Sequence, residues 1–183
     1  GISPDVSIDV QVHIPEKAGL GGSSADAAAT LYLLAQRWGI DPLNPLVVEV
    51  AKAVGADVAF FLDPRPSLML GAGDTLVETY TAIVDAPLAG MEPAPDNAAA
   101  GGQLIQQVAS LLFNNLAPAA KSLKPQVAEV EEWLKAQFGV LGAQVSGSGS
   151  SSFALCESQD AANAIAAAAQ AKGWRGFSTT CKL

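Results

Sequence analysis

Pro15-Glu16-Lys17-Ala18-Gly19-Leu20-Gly21-Gly22-Ser23-Ser24-Ala25-Asp26-Ala27-Ala28-Ala29 is the stretch that decides how this chain reads. Before it, Val6-Ser7-Ile8-Asp9-Val10-Gln11-Val12-His13-Ile14 sets β-branched apolar residues at even positions and polar residues at odd ones. That is the period of a half-buried strand. After it, Ala27, Ala28, Leu31, Leu34, Ala35 and Trp38 recur at helical spacing, and Gly39 stands where a C-terminal cap belongs. A strand is therefore expected to feed a glycine loop that opens a helix. Glycines without a Cβ let backbone N–H groups converge, and the helix adds the positive end of its dipole. A phosphate suits that geometry. The loop is neither common nucleotide loop: Gly22 is followed by Ser23-Ser24 rather than Lys-[Ser/Thr], and Ser24 replaces the third glycine of Gly-x-Gly-x-x-Gly. The plainer alternative is a helix N-terminus with a capping box, Ser23-x-x-Asp26, after a flexible turn.

Composition narrows the classes. The 183 residues are 50% hydrophobic and 15% charged, enough to bury a core and unlike a disordered chain. A formal net charge of −8, with basic residues scattered, argues against a polyanion such as nucleic acid as partner. It leaves room for a small phosphate held by backbone N–H groups. Two cysteines, Cys156 and Cys181, read as buried free thiols of a reducing compartment rather than a disulfide or metal pair. His13 is the only histidine, which argues against a histidine triad or zinc centre, and it reads as a solvated strand residue. No stretch is long and apolar enough to span a membrane, and no signal pattern opens the chain. The abrupt opening strand leads us to expect an amino-terminal part before these residues.

Further along, Asp41 to Pro45 reads as a turn, and Leu46, Val47, Val50, Ala51 and Val54 as an amphipathic helix ending at Gly55. Val58 to Leu62 reads as a short buried strand, closed by the turn Asp63-Pro64-Arg65-Pro66. Ser67 to Leu70 is a second strand, Gly71 to Asp74 a turn, and Thr75 to Val84 is extended. Residues 85–102, rich in Pro, Ala and Gly, read as a linker or depleted segment between domains at 1–84 and 103–183. Helices are expected over Gln103 to Phe113 and Gln126 to Phe138, with Val127, Val130 and Leu134 on one face. The closing residues read as Gly142 to Val145, a Ser/Gly loop, strand Ser152 to Cys156, helix Ala161 to Ala171 capped by Gly173, and an edge strand Gly176 to Lys182. That order suits a ferredoxin-like layer, and the whole an α+β fold in two lobes.

Three loops belong together. Gly19 to Ser24 is the first. Gly55-Ala56-Asp57-Val58 sets a carboxylate between a helix end and a strand. Ser146-Gly147-Ser148-Gly149-Ser150-Ser151 can form an anion-binding nest. Singly, Asp57 reads as a turn aspartate bonding its own backbone, and the third loop as a flexible hairpin. Jointly they supply two phosphate cradles and a carboxylate for a proton, the parts of a small-molecule kinase.

These residues resemble the GHMP kinases. Ile14-Pro15 and Gly19 to Ala28 look like the family's ATP loop, and the doubled glycine with its Asp-Ala-Ala ending is most similar to its 4-diphosphocytidyl-2-C-methyl-D-erythritol kinase branch. Gly55-Ala56-Asp57-Val58-Ala59-Phe60-Phe61 resembles that branch's Gly-Ala-Asp-Val-Pro-Phe-Phe, with Ala59 in place of proline. Asn114-Asn115-Leu116 resembles its Asn-Asp-Leu-Glu segment, with Asn115 and Ala117 in place of both acids. Ser146 to Ser150 resembles its carboxy-terminal glycine motif. The family's Ala-Lys-Ile-Asn-Leu strand and Gly-Tyr-His segment have no counterpart here, and Lys17 is not equivalent to that strand's lysine. The resemblance implies a two-lobed kinase using ATP and Mg²⁺. Pro15, Ala18, Gly19, Leu20, Gly21, Gly22, Ser23, Ser24 and Ala25 would hold the ATP phosphates, and Asp57 would take the proton of the attacking C2 hydroxyl. Ser146, Gly147, Ser148 and Gly149 would line the substrate or phosphate cleft, with Ser24 near Mg²⁺. It implies a small-molecule substrate, a monomer or homodimer, and a bacterial cytoplasm or plastid stroma. Another GHMP kinase, of homoserine or phosphomevalonate type, and a nucleotide-binding fragment without turnover are the alternatives.

Overall fold

The structure is a computed structural model that describes residues 5–65, 67–70, 75–79 and 105–180. It is mixed α and β, and divides into two units: Gly1–Glu16 with Gly21–Ala86, and Lys17–Leu20 with Pro87–Leu183. The glycine loop thus contributes to both.

In the first unit, α1 spans Gly22–Arg37, α2 Pro45–Val54 and α3 Val58–Leu62. Gly39 leaves α1 at φ 69°, as its place in the sequence predicts. Asn44 caps α2: its side chain accepts from the Leu46 N–H at 3.0 Å, and Pro45 follows where no N–H is needed. Ala28 of α1, Ala51 of α2 and Val58 and Leu62 of α3 form the core of this unit. Strands β1 (Ser67–Leu70) and β2 (Thr75–Thr79) pair antiparallel, with an irregularity between Leu68 and Met69.

Three expectations for this unit are corrected. Val58 to Leu62 is a helix, not a strand. Val-Ala-Phe-Phe-Leu has strand-like propensity, but Val58 and Leu62, one helical turn apart, are the pair buried against α1 and α2. Burial of that i, i+4 pair overrides local preference. Val6 to Ile14 forms no strand among the described residues. Ile8, Val10 and Val12 are 55%, 47% and 59% exposed, and no described strand pairs with the segment to give its alternation a ladder. The Ser23-x-x-Asp26 capping box is absent too: α1 starts two residues early, with Gly21 rather than Ser23 as its N-cap, and no side chain caps it.

In the second unit, residues 105–110 form helix α4. Helices α5 (Ala117–Leu123) and α6 (Pro125–Lys135) precede a hairpin of β3 (Val140–Val145) and β4 (Ser152–Cys156), and α7 spans Gln159–Ala171. The hairpin is antiparallel, with Val145 opposite Ser152 and Ala143 opposite Ala154. Val127 packs with Val145 and Ala117, and Leu134 with Ala143 and Ile165, so the face read from α6 is the buried one. Helix α6 stops three residues short of Phe138, which is 93% exposed. Sequence reading missed α5. Residues 176–180 form no edge strand. They lie along α7, with Gln170 Nε2 donating to the Gly176 carbonyl at 2.7 Å and Ser178 Oγ to Asn163 Oδ1 at 2.6 Å. Those side-chain bonds bind the segment to a helix instead of a ladder. The expected turn at 71–74, the extension over 80–84, the linker at 85–102, the helix start at 103–104, Cys181 and Lys182 lie outside the described residues.

Candidate active site

In the first unit, the glycine loop becomes a helix start. Gly21, at φ 67°, is the N-cap, and the first helical bond runs from the Ala25 N–H to the Gly21 carbonyl at 2.8 Å. The N–H groups of Gly22, Ser23 and Ser24 therefore have no acceptor one turn back inside α1. A Cβ at Gly21 would stand 2.7 Å from Phe61 Cζ, so glycine is needed there for steric as well as conformational reasons. Phe61, from α3, thereby holds the loop close to the helix that Asp57 begins. Asp57 is the N-cap residue of α3, between α2 and a helix rather than a strand. Its side chain makes no cap hydrogen bond, it is exposed, and no hydrogen bond or ion pair engages it among the described residues. It is an exposed carboxylate at the start of a helix anchored by buried Val58 and Leu62. Ser23 is exposed and Ser24 half-buried, and Pro15 lies half-buried in the preceding turn.

In the second unit, Lys17 to Leu20 run alongside the Ser/Gly loop. Ser151 N–H donates to the Ala18 carbonyl at 3.0 Å, and Ser146 Oγ to the Gly19 carbonyl at 2.8 Å. Ala18 is buried. A Cβ on Gly19, at φ 74°, would meet the Ser146 carbonyl at 2.2 Å. Only glycine fits that approach. Within the Ser/Gly loop, Ser146 N–H bonds the Ser151 carbonyl and Gly149 N–H the Ser146 carbonyl, each at 2.9 Å. The backbone N–H groups of Gly147, Ser148 and Ser150 make no hydrogen bond among the described residues, and all three residues are exposed. The turn is thus folded by part of its donors and offers the rest outward, the property required of an anion nest. Ser146 differs from its expected role: its hydroxyl is already committed to Gly19, leaving the neighbouring backbone as the available donor.

Asn114 is a residue whose part in this arrangement sequence reading missed. Its Nδ2 donates to the Val145 and Gly147 carbonyls, both at 2.8 Å, while its Oδ1 accepts the Leu116 N–H at 2.8 Å. The detectable signal was local: an Asn three residues before a helix start, with proline just inside it. The partners 31 and 33 residues downstream were not legible. Among the described residues no group of three or more His, Cys, Asp or Glu could hold a metal, and no helix is long and apolar enough to cross a membrane.

Beneath this loop, Glu131 of α6 is 3% exposed, and its Oε1 accepts both Lys121 of α5, at 2.9 Å, and Lys135, at 2.5 Å. Burial by itself would raise its carboxyl. The ammonium hydrogen bonds from Lys135 and Lys121, with their charges, outweigh that and hold it below the usual carboxylate range. Cys156, half-buried on β4, has its thiol pushed up by burial and by the neighbouring Glu157 charge.

Comparison with known proteins gives the family. Residues 1–63 match the family model described as the GHMP kinases N terminal domain, and residues 98–174 that of the GHMP kinases C terminal. A 4-diphosphocytidyl-2-C-methyl-D-erythritol kinase of Desulfitobacterium hafniense is 33% identical over 190 positions, covering 91% of this chain and 66% of the relative. One of Parvibaculum lavamentivorans is 31% identical over 202 positions, covering 95% and 69%. A crystal structure of 4-(cytidine 5'-diphospho)-2C-methyl-D-erythritol kinase superposes with a TM-score of 0.64 at 29% identity, covering 92% of this chain and 67% of that one. The chain spans about two thirds of the length of these relatives.

Proposed function

The chain belongs to the GHMP kinase family, and from that membership we propose that it transfers the γ-phosphoryl group of ATP to the C2 hydroxyl of 4-diphosphocytidyl-2-C-methyl-D-erythritol. The observation that carries the chemistry lies within the first unit: an open helix N-terminus at Gly22 to Ser24 and an unengaged carboxylate, Asp57, at the start of α3. The names of the relatives supply the acceptor. The division 1–84, 85–102 and 103–183 is part of the same proposal, as is a monomeric or homodimeric protein of the bacterial cytoplasm or plastid stroma.

Each group has a physical task. Backbone N–H groups of Gly22, Ser23 and Ser24, with the α1 dipole, stabilise phosphate oxygens as negative charge shifts onto the leaving diphosphate. Pro15, Ala18, Gly19, Leu20 and Ala25 give the loop its shape. Asp57 accepts the C2 hydroxyl proton while that oxygen bonds the γ-phosphorus and the bridge to the β-phosphate breaks, releasing ADP. Mg²⁺ is compatible with these residues: the half-buried Ser24 hydroxyl makes no hydrogen bond among the described residues and can join substrate phosphates around the ion. When bound, Mg²⁺ would neutralise phosphate charge. Gly147, Ser148 and Ser150 present the second set of donors, with Ser146 and Gly149, bonded to each other, anchoring the turn.

ADP release by the full-length protein against a panel of alcohols tests the reading. Turnover with the diphosphocytidyl acceptor exceeding that with homoserine or phosphomevalonate supports it. The reverse order moves the assignment within the family, and nucleotide binding without turnover leaves a pseudo-kinase.

A further inference from the structure

We propose that Asn114 is the positioning residue of the Ser/Gly loop, setting its outward N–H groups against the phosphate oxygens of a nucleotide diphosphate ester. The inference rests on the kinase reading for its ligand, but its structural half stands on geometry alone. Asn114 joins two carbonyls that flank Ser146: Nδ2 donates to Val145, the last residue of β3, and to Gly147, inside the loop, each at 2.8 Å. Both hydrogens of one amide nitrogen are thereby used, and the two carbonyls are drawn to the same side. With the Gly147 carbonyl turned toward Asn114, the N–H of the same peptide unit, that of Ser148, points the opposite way, because the unit is planar and trans. That N–H makes no bond among the described residues.

The base that holds Asn114 is itself built. Its Oδ1 accepts the Leu116 N–H and its own carbonyl accepts the Ala117 N–H at 3.2 Å, so the side chain is locked to the start of α5. Helix α5 packs through Ala117 and Ala120 with Val127 and Val145, and Lys121 ties it to Glu131 on α6. A Cβ at Gly149 would stand 3.6 Å from the Ala120 Cβ, which places α5 directly behind the loop. Among the described residues, this amide is the side chain whose bonds fix both the strand end and the loop turn from the start of α5.

Asn114→Asp separates positioning from folding. The carboxylate keeps the acceptor for Leu116 but replaces both donors with an oxygen facing two carbonyls. Asn114→Ser, which keeps a shorter acceptor and adds no charge, is the second variant should the first fail to fold. Two readouts are needed on the full-length protein. Amide hydrogen exchange at Ser146, Gly149 and Ser151 reports the loop, and kcat and KM, for ATP and for the diphosphate acceptor separately, report ligand alignment. The expected result is lost protection at those amides, a thermal midpoint close to that of the parent, and kcat/KM lower by about 10- to 100-fold. The substrate whose KM rises identifies which phosphate the loop meets. Unchanged protection in both variants overturns the proposal, as does loss of protection with unchanged kinetic constants. If the parent protein turns over no phosphate ester, the kinase reading fails, and exchange still decides whether Asn114 positions the loop.

Discussion

At the scale of single residues, Asp57 and Gly19 carry the sharpest predictions. Asp57 makes no cap bond, so Asp57→Asn should leave stability within about 0.5 kcal/mol, the range of a surface change. If the carboxylate takes the proton, kcat should fall by about 10²–10⁴ while ATP affinity barely moves. Steady-state kinetics beside isothermal calorimetry decides this, and a folded variant with normal kcat removes Asp57 from the chemistry. Gly19→Ala asks a methyl group to occupy a point 2.2 Å from a backbone oxygen at φ 74°. Backbone must move there, so a loss of about 2 kcal/mol or more is expected in a urea titration, with weaker nucleotide binding. Cys156 makes the opposite kind of prediction. Its raised thiol pKa leaves little thiolate near neutrality, so alkylation by iodoacetamide, followed by peptide mass spectrometry, should run slower than for free cysteine.

At the scale of elements, the junction of α5 and α6 is where pH enters. The Glu131 carboxyl is held below its ordinary value by Lys135 and Lys121. A depressed folded pKa means that the native state releases its proton more readily than the unfolded chain. The resulting stability is fully present above the unfolded value, near 4.5, and is lost as pH falls through the lower folded value. Glu131→Gln should cost about 1–3 kcal/mol at pH 7, the scale of hydrogen bonds to a charged group. It should also flatten stability against pH below 4.5. Denaturant melts of both proteins between pH 3 and 7 check this, and parallel curves would show that the pair contributes nothing. One compensation limits the loss: both lysines are partly exposed, 33% and 53%, and can return to water. Glu131 Oε2 is buried with no partner, so part of the desolvation cost is already present in the parent.

At the scale of the whole molecule, a ligand that binds only the folded state stabilises it by mass action. A non-hydrolysable ATP analogue at about 100 times its dissociation constant should add about 2.7 kcal/mol. A thermal shift that scales with analogue concentration is the expected observation, and none at saturating levels would count against nucleotide binding. What the sequence determined by itself is local and periodic: the extents of α1 and α2, the buried face of α6, the β3–β4 hairpin with α7 after it, and the three loops. Those follow from side-chain period, caps and glycine placement within a few residues, interactions that close inside one element. The tertiary structure decided the rest. It made Val58 to Leu62 a helix, because Val58 and Leu62 bury together against Ala28 and Ala51. It denied Val6 to Ile14 a strand, since no described strand pairs with it, and it drew residues 176–180 onto α7. It brought Gly19 against Ser146 across 127 residues and gave Asn114 its two distant carbonyls. Period and propensity describe what a residue would bury or bond if a partner arrived; which partner arrives is settled by long-range packing, which no local window contains.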